Sequence, residues 1–113
     1  MTKSELINSI RLSLRNLNIS KVILFGSWAN DLQTDESDVD LLVVTKDEYV
    51  FQSFEQKMKA KVKIAQALND IRKFADIDLI VHTKPMFDRF LMLGSGFKNE
   101  ILNTGKVIYE ADN

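Results

Sequence analysis

The stretch VILFGSWANDLQTDESDVDLLVV, residues 22–44, decides the fold. It begins with the apolar run Val22–Phe25, which is typical of a short buried strand and stops at Gly26. A short helix is predicted to follow, from Ser27 to about Leu32. Backbone N–H groups at the start of a helix attract anions, so Gly26 and Ser27 form a candidate phosphate-binding turn.

A second strand is predicted over residues 38–44, and it opens with two aspartates at alternate positions. Because side chains alternate along a strand, Asp38 and Asp40 share one face while Val39, Leu41 and Val43 share the other. The two carboxylates, about 6.5 Å apart, repel each other by roughly 2–3 kcal/mol at an effective dielectric of about 20. Solvation, protonation or a bound cation can relieve this repulsion. The position beside the turn favours a cation, and oxygen-only ligands favour Mg²⁺ or Mn²⁺.

Composition predicts one domain, residues 1–113, of a soluble globular protein. A net charge of −1 gives no general case for binding nucleic acid or an anionic membrane. Cysteine is absent, which excludes disulfides and thiolate metal sites, and the one histidine, His82, cannot build a zinc site. No apolar run reaches membrane-spanning length and no signal peptide is evident, so a cytoplasmic location is expected.

The remaining pattern alternates helix and strand. It predicts an α/β fold, a small mixed sheet covered by helices in the order α-β-α-β-α-β-α. The first helix carries the apolar stripe Leu6, Ile10, Leu14 and Leu17. The later elements are a long amphipathic helix over 51–74, a strand over 76–81, helices over 86–93 and from about 97, and a small terminal strand over 106–109. The long helix is predicted to face the core with a row at steps of three and four: Phe51, Phe54, Met58, Val62, Ala65, Leu68, Ile71 and Phe74.

At these residues the chain resembles the nucleotidyltransferase superfamily of the DNA polymerase beta type. Its signature is Gly-Ser, a short helix, Asp-x-Asp opening a strand, and a later third aspartate, and GSWANDLQTDESDVDLLV is similar to it. The short chain and the ending GFKNEILNTGKVIYE resemble the minimal nucleotidyltransferases (MNT), many of which are antitoxins paired with HEPN ribonuclease toxins.

The resemblance implies a site and a reaction. Gly26 and Ser27 hold the triphosphate of ATP, and Asp38, Asp40 and a third aspartate bind two Mg²⁺ ions. The third aspartate falls on Asp78, which is placed to receive the acceptor's proton, and Asp76 is the alternative. These three carboxylates are the expected catalytic and metal-binding residues. The reaction moves AMP from ATP to a hydroxyl, here of a tyrosine on a HEPN toxin.

One departure from the family pattern separates two hypotheses. Family members commonly carry arginine and glycine where this chain has Asn30 and Asp31, so a fixed cation is lost and a negative charge is added. The alternative function is therefore a weak or inactive nucleotide-binding module that neutralises its partner by contact, using the apolar surface Met86–Phe97. Transfer to a small molecule is a third hypothesis, but so short a chain offers no obvious second domain to form a pocket for a small-molecule acceptor.

Several notable side chains have ordinary interpretations. Gly26 and Ser27 can be a plain turn and helix cap, and exposed aspartates are commonly solvated. Trp28 and Tyr109 are expected to pack, although the position of Trp28 beside the turn leaves base stacking open. Arg11 is expected to be solvated on the polar face of the first helix.

Overall fold

The structure, a computed structural model, describes residues 1–111, so residues 112–113 of the predicted domain lie outside it. Within the described range no helix is long and apolar enough to span a membrane. The elements of that range are α1 (Lys3–Leu14), β1 (Ile19–Phe25), β2 (Val39–Thr45), α2 (Phe54–Ala67), α3 (Asn69–Arg72), β3 (Ile77–His82), α4 (Lys84–Leu93), α5 (Gly96–Thr104) and β4 (Lys106–Glu110).

The described strands form one mixed sheet in the order β3-β2-β1-β4. β1 runs antiparallel to both of its neighbours, whereas β2 and β3 run parallel. A parallel pair needs a crossover connection, and α2 with α3 supplies it. This topology brings the end of β1 and the starts of β2 and β3 to the same end of the sheet.

Apolar side chains fill both faces of the sheet because helices cover both faces. In β2, Val39, Leu41 and Val43 join the larger core with α1, α2 and α3. The alternate residues Leu42 and Val44 join a smaller core with α4 and α5. This arrangement confirms the predicted class, a small mixed sheet covered by helices, and the predicted division of the β2 side chains.

α1 begins with a capping box, in which the Thr2 hydroxyl accepts from the Glu5 N–H and the Glu5 carboxylate accepts from the Thr2 N–H. Its predicted stripe faces the core, where Leu6, Ile10 and Leu14 are buried and Leu17 packs at the margin. Arg11 is exposed, as predicted, but it also makes a contact that the sequence did not indicate. Its Nε donates to the Ile108 carbonyl of the edge strand β4, next to an irregularity in the β1–β4 register.

The short helix predicted after Gly26 is wrong, because residues 27–31 form hydrogen-bonded turns. The Asn30 N–H donates to the Gly26 carbonyl at 3.2 Å, which resembles one turn of helix. Asp31 then leaves the helical region with a φ of 59°. A segment this short forms too few hydrogen bonds to propagate a helix. The predicted order therefore loses one helix. The candidate phosphate site then depends on the turn that begins at Gly26 and not on the start of a helix.

The long helix is shorter than predicted and breaks at Leu68, where φ is −96° and ψ is 8°. Its inward row is Ile64, Leu68 and Ile71. The predicted members Phe54, Val62 and Phe74 are exposed instead. Phe54 and Val62 are two steps of four apart, and each such step turns the row about 40° around the helix, whereas Phe74 lies beyond the end of α3.

The C-terminal part follows the prediction in outline. Pro85 lies in the first turn of α4, where its missing N–H is not needed, and does not precede the helix. Gly94 ends α4 with a φ of 65°, after which α5 begins at Gly96. β4 then forms one edge of the sheet, slightly longer than the predicted 106–109.

Candidate active site

The predicted acidic residues lie where β1 ends and β2 and β3 begin. Asp40 pairs with Phe25 of β1 on one side and with Asp78 of β3 on the other. In a parallel pair, residues in direct register point to the same face, so the two carboxylates are neighbours. Asp40 is half-buried, and Asp78 is exposed at the edge strand.

Burial, together with neighbouring negative charge, raises the pKa of Asp40 from 3.8 to about 6. Burial of the carboxyl group is the largest cause, and the neighbouring Asp78 carboxylate is the next. The charges of Asp38 and of Glu100, on α5, raise the pKa further. Glu100 was not identified from the sequence, because its proximity depends on how α5 packs. Three acidic neighbours therefore act on Asp40, which favours a proton or a cation there.

Asp38 and Asp76, the alternative third aspartate, are both exposed and line one groove together. Asp76 also contributes its backbone, since its carbonyl accepts from the Val39 N–H at 2.8 Å. Asp78 is the aspartate of β3 that stands in register with Asp40. Asp78 is therefore the β3 aspartate beside Asp40, whereas Asp76 lies in the groove with Asp38.

Gly26 brings the turn against the acidic pair. Its φ is 72°, in the left-handed region that favours glycine. A β-carbon at this position would lie 2.1 Å from Oδ2 of Asp40, so any larger residue collides with the carboxylate. Ser27 follows and is partly exposed. The Gly-Ser turn and Asp40 are therefore parts of one surface.

Asn30, Asp31 and Lys3 hold the rest of the turn. The Asn30 side-chain amide donates to the Gly26 carbonyl at 3.1 Å. Lys3, from the start of α1, donates to the Ala29 carbonyl at 3.3 Å and to the Asp31 carboxylate at 2.9 Å. The sequence carries no local signal for the Lys3 contacts, because 26 and 28 positions separate the partners.

The carboxylates of Asp40 and Asp78 suit a divalent cation, because they offer oxygen ligands on neighbouring strands. A bound cation would also relieve the repulsion between them. Within residues 1–111, no group of three or more His, Cys, Asp or Glu side chains is close enough together to form a metal site. The assignment of Asp38, Asp40 and Asp78 as metal ligands remains a prediction.

The remaining singled-out residues pack. Trp28 and Tyr109 contribute to the larger core, as expected. His82 lies half-buried against the rings of Phe87 and Phe90, with centroids 6.4 and 5.5 Å away. Burial, and after it the charge of Lys57, lowers the pKa of His82, which favours the neutral ring.

Three solved structures share this fold. A toxin–antitoxin with AMP-PNP superposes with a TM-score of 0.52 at 20% identity, covering 98% of this chain and 75% of that chain. A mutant of the toxin–antitoxin MntA–HpeT gives a TM-score of 0.51 at 19% identity, with coverage of 98% and 75%. A Sulfolobus solfataricus protein, named for a proposed nucleotidyltransferase, gives 0.53 at 20% identity, with coverage of 94% and 75%.

Sequence similarity points to the same group of proteins. A Methanocaldococcus jannaschii protein, whose name proposes protein adenylyltransferase activity, is 28% identical over 105 residues, or 93% of this chain and 92% of that protein. Residues 8–113 match the family model described as polymerase beta, nucleotidyltransferase, which confirms the family expected from the sequence. The chain therefore belongs to the polymerase beta nucleotidyltransferase family.

Proposed function

We propose that this nucleotidyltransferase moves AMP from ATP to a hydroxyl group in a Mg²⁺-dependent reaction. The observation that carries the proposal is the meeting of Gly26, Asp40 and Asp78 at one end of the sheet. A phosphate-binding turn beside paired carboxylates is suited to holding a nucleoside triphosphate with its cations. The name of the Methanocaldococcus jannaschii relative supports adenylyl transfer to a protein.

In the proposed reaction the acceptor oxygen bonds to the α-phosphorus of ATP, and the bond from that phosphorus to pyrophosphate breaks. The backbone of Gly26 and Ser27 orients the leaving phosphates. Exposed Asp78 accepts the proton of the acceptor hydroxyl. Two Mg²⁺ ions, held by Asp40 and Asp78 together with Asp38, would supply charge stabilisation at the attacking and leaving oxygens.

We further propose that the acceptor is a tyrosine of a HEPN-type toxin and that this chain is the antitoxin of a cytoplasmic pair. Two of the structures that share its fold are toxin–antitoxin structures, which supports a protein partner. The predicted contact surface Met86–Phe97 carries large exposed apolar side chains at the end of α4, where Met92 is 84% and Leu93 is 71% exposed.

Incubation with α-labelled ATP, Mg²⁺ and a candidate HEPN partner tests the proposal. Label should appear on the partner with the wild-type chain and disappear with Asp40→Asn or Asp78→Asn. Asp76→Asn is the matched control, since it removes a nearby exposed carboxylate that lies outside the Asp40 register. Full Mg²⁺-dependent transfer by Asp40→Asn would overturn the metal assignment.

The turn favours one competing function, neutralisation by contact without transfer. Asn30 uses its amide to bind the Gly26 carbonyl, and Asp31 pairs with Lys3 at 2.9 Å, so neither residue supplies a cation to the phosphates. The same labelling experiment separates the two functions, because a module of this kind forms a stoichiometric complex with its partner and transfers no label.

A further inference from the structure

Three apolar side chains of α2, Phe54, Met58 and Val62, line an open groove on the outer side of the helix. Phe54 is 78% and Val62 is 46% exposed, although both were predicted to face the core. The three residues stand four positions apart, so they form one ridge, about 12 Å long, along the helix surface. An apolar surface of this kind, rimmed by charged residues, is typical of an interaction site. We call these three residues the α2 ridge.

Lysines border the α2 ridge on both sides. Lys57 and Lys61 lie in the neighbouring row on one side, and Lys59 and Lys63 lie in the neighbouring row on the other. Among residues 1–111, none of the four forms an ion pair. Glu55 is the only acidic residue of α2, and the chain as a whole has a net charge of −1, so this surface is a local concentration of positive charge.

The charges and the width of the α2 ridge decide which occupant fits it. A second copy of the chain would bring the same lysine rows against each other, with one glutamate per helix to offset them. A helix that lies on a membrane needs a broad apolar face, whereas this ridge is one side chain wide. Nucleic acid would pair with the lysines and leave the apolar side chains without a partner. A helix that carries an apolar row between acidic residues matches both features.

We propose that the α2 ridge is the docking site for an amphipathic helix of a partner protein, whose apolar row is bordered by aspartate or glutamate. The apolar row of that helix packs against Phe54, Met58 and Val62, and its carboxylates pair with the lysines on either side. α2 packs on the sheet face opposite to α4 and α5. The site is therefore separate from the predicted contact surface Met86–Phe97, and the chain can hold this helix and the proposed toxin together.

The experiment measures the binding of a synthetic peptide by fluorescence anisotropy. The peptide is about 20 residues long, so that it is helical in isolation, and carries one row of leucines bordered on both sides by glutamates. Wild type should bind it in a saturable way. A second peptide, with lysines in place of the glutamates, should bind at least tenfold more weakly. This difference should shrink at high salt, because surface charges are then screened.

Variants of the chain locate the site. Phe54→Ala should weaken binding of the glutamate peptide about tenfold, because it removes the largest side chain of the ridge. Leu102→Ala is its matched control, since this leucine is 58% exposed on α5 and its truncation should leave binding unchanged. Lys59→Glu should weaken binding about three- to tenfold, whereas Lys106→Glu makes the same change in net charge on β4 and should not. The Tm of Phe54→Ala should match that of wild type, which separates lost binding from lost folding.

Asp40→Asn should bind the glutamate peptide as tightly as wild type, so failure of the proposed transfer reaction leaves this proposal standing. Absence of saturable binding, equal binding of the two peptides, or equal affinity of Phe54→Ala and Leu102→Ala would overturn it. Flotation with vesicles of phosphatidylcholine and phosphatidylserine, and sedimentation velocity, test the other occupants. Vesicle binding or a dimer that is lost in Phe54→Ala would assign the ridge to a membrane or to a second copy, and the proposal would be wrong.

Discussion

Gly26 and Asp40 are in contact across the end of the sheet, so closely that a β-carbon at residue 26 would stand 2.1 Å from Oδ2 of Asp40. The turn that Gly26 begins and the strand that carries Asp40 near its start are therefore not independent. A ligand held by the turn would face the carboxyl group whose pKa is raised to about 6.

Gly26→Ala should reduce both stability and nucleotide binding. The left-handed φ costs about 1–3 kcal/mol for a residue with a side chain, and the new methyl group displaces the Asp40 carboxylate. Urea unfolding measures the first effect, and calorimetric titration with Mg²⁺–ATP measures the second. Gly96→Ala is the control, since a β-carbon there meets open space at the start of α5 and should cost nothing. Equal stability of the two variants would show that the turn does not require glycine.

Stability should fall as pH rises from about 4 to about 6. The pKa of Asp40 is 3.8 in the unfolded chain and about 6 in the folded one, so the folded state retains a proton that the unfolded state has released. The contribution is complete below about pH 4 and is lost once the folded group ionises. Because Asp40 is only half-buried, we expect about 1 kcal/mol after allowing for solvent screening. Urea unfolding of wild type and Asp40→Asn at several pH values measures it, and the variant should lack this component.

Mg²⁺ should stabilise the folded chain through Asp40 and Asp78. At a hundredfold excess over its Kd the gain is about 2.7 kcal/mol, visible as a raised Tm. The gain should increase between pH 5 and pH 7, because the cation competes with the proton on Asp40. Asp40→Asn should abolish the Mg²⁺ effect and Asp76→Asn should retain it. If Asp76→Asn lost the Mg²⁺ effect and Asp78→Asn kept it, the third ligand would be Asp76 and not Asp78.

Replacements of Asp31 should separate backbone strain from the ion pair with Lys3. Asp31→Ala loses the exposed ion pair and keeps the left-handed φ, so it should destabilise the chain by about 1 kcal/mol. Asp31→Gly loses the same ion pair but removes the strain, so it should stay within about 0.5 kcal/mol of wild type. Urea unfolding measures both. A glycine variant as unstable as the alanine variant would assign the effect to the ion pair alone.

Met92→Glu should leave the fold unchanged and weaken the complex with the proposed partner. The side chain is 84% exposed, so a charge there costs little in the free chain, whereas an interface anchor lost on binding costs about 2 kcal/mol or more. Phe54→Glu, which places a charge on the opposite layer of helices, is the control and should bind normally. Calorimetric titration measures both, and equal weakening would mean that the α4 surface is not the interface.

Local sequence patterns predicted much of the fold. The β2 alternation and the α1 stripe were correct because each depends on neighbours one to four residues apart. The helix after Gly26 and the inward row of the long helix were not. The short segment forms too few hydrogen bonds to propagate a helix, and the break at Leu68 changes which side of the chain meets the core. In both cases local periodicity was outweighed by how the elements meet.

The sequence by itself determined the class of fold, the family and the candidate residues Gly26, Ser27, Asp38 and Asp40, because these lie in one continuous segment. Only the tertiary structure set Asp78 in register with Asp40, and only it brought Lys3 and Glu100 to the same end of the sheet. The physical reason is distance along the chain. Strand register and helix packing are decided by the sum of many contacts between distant segments, and no single segment carries that information.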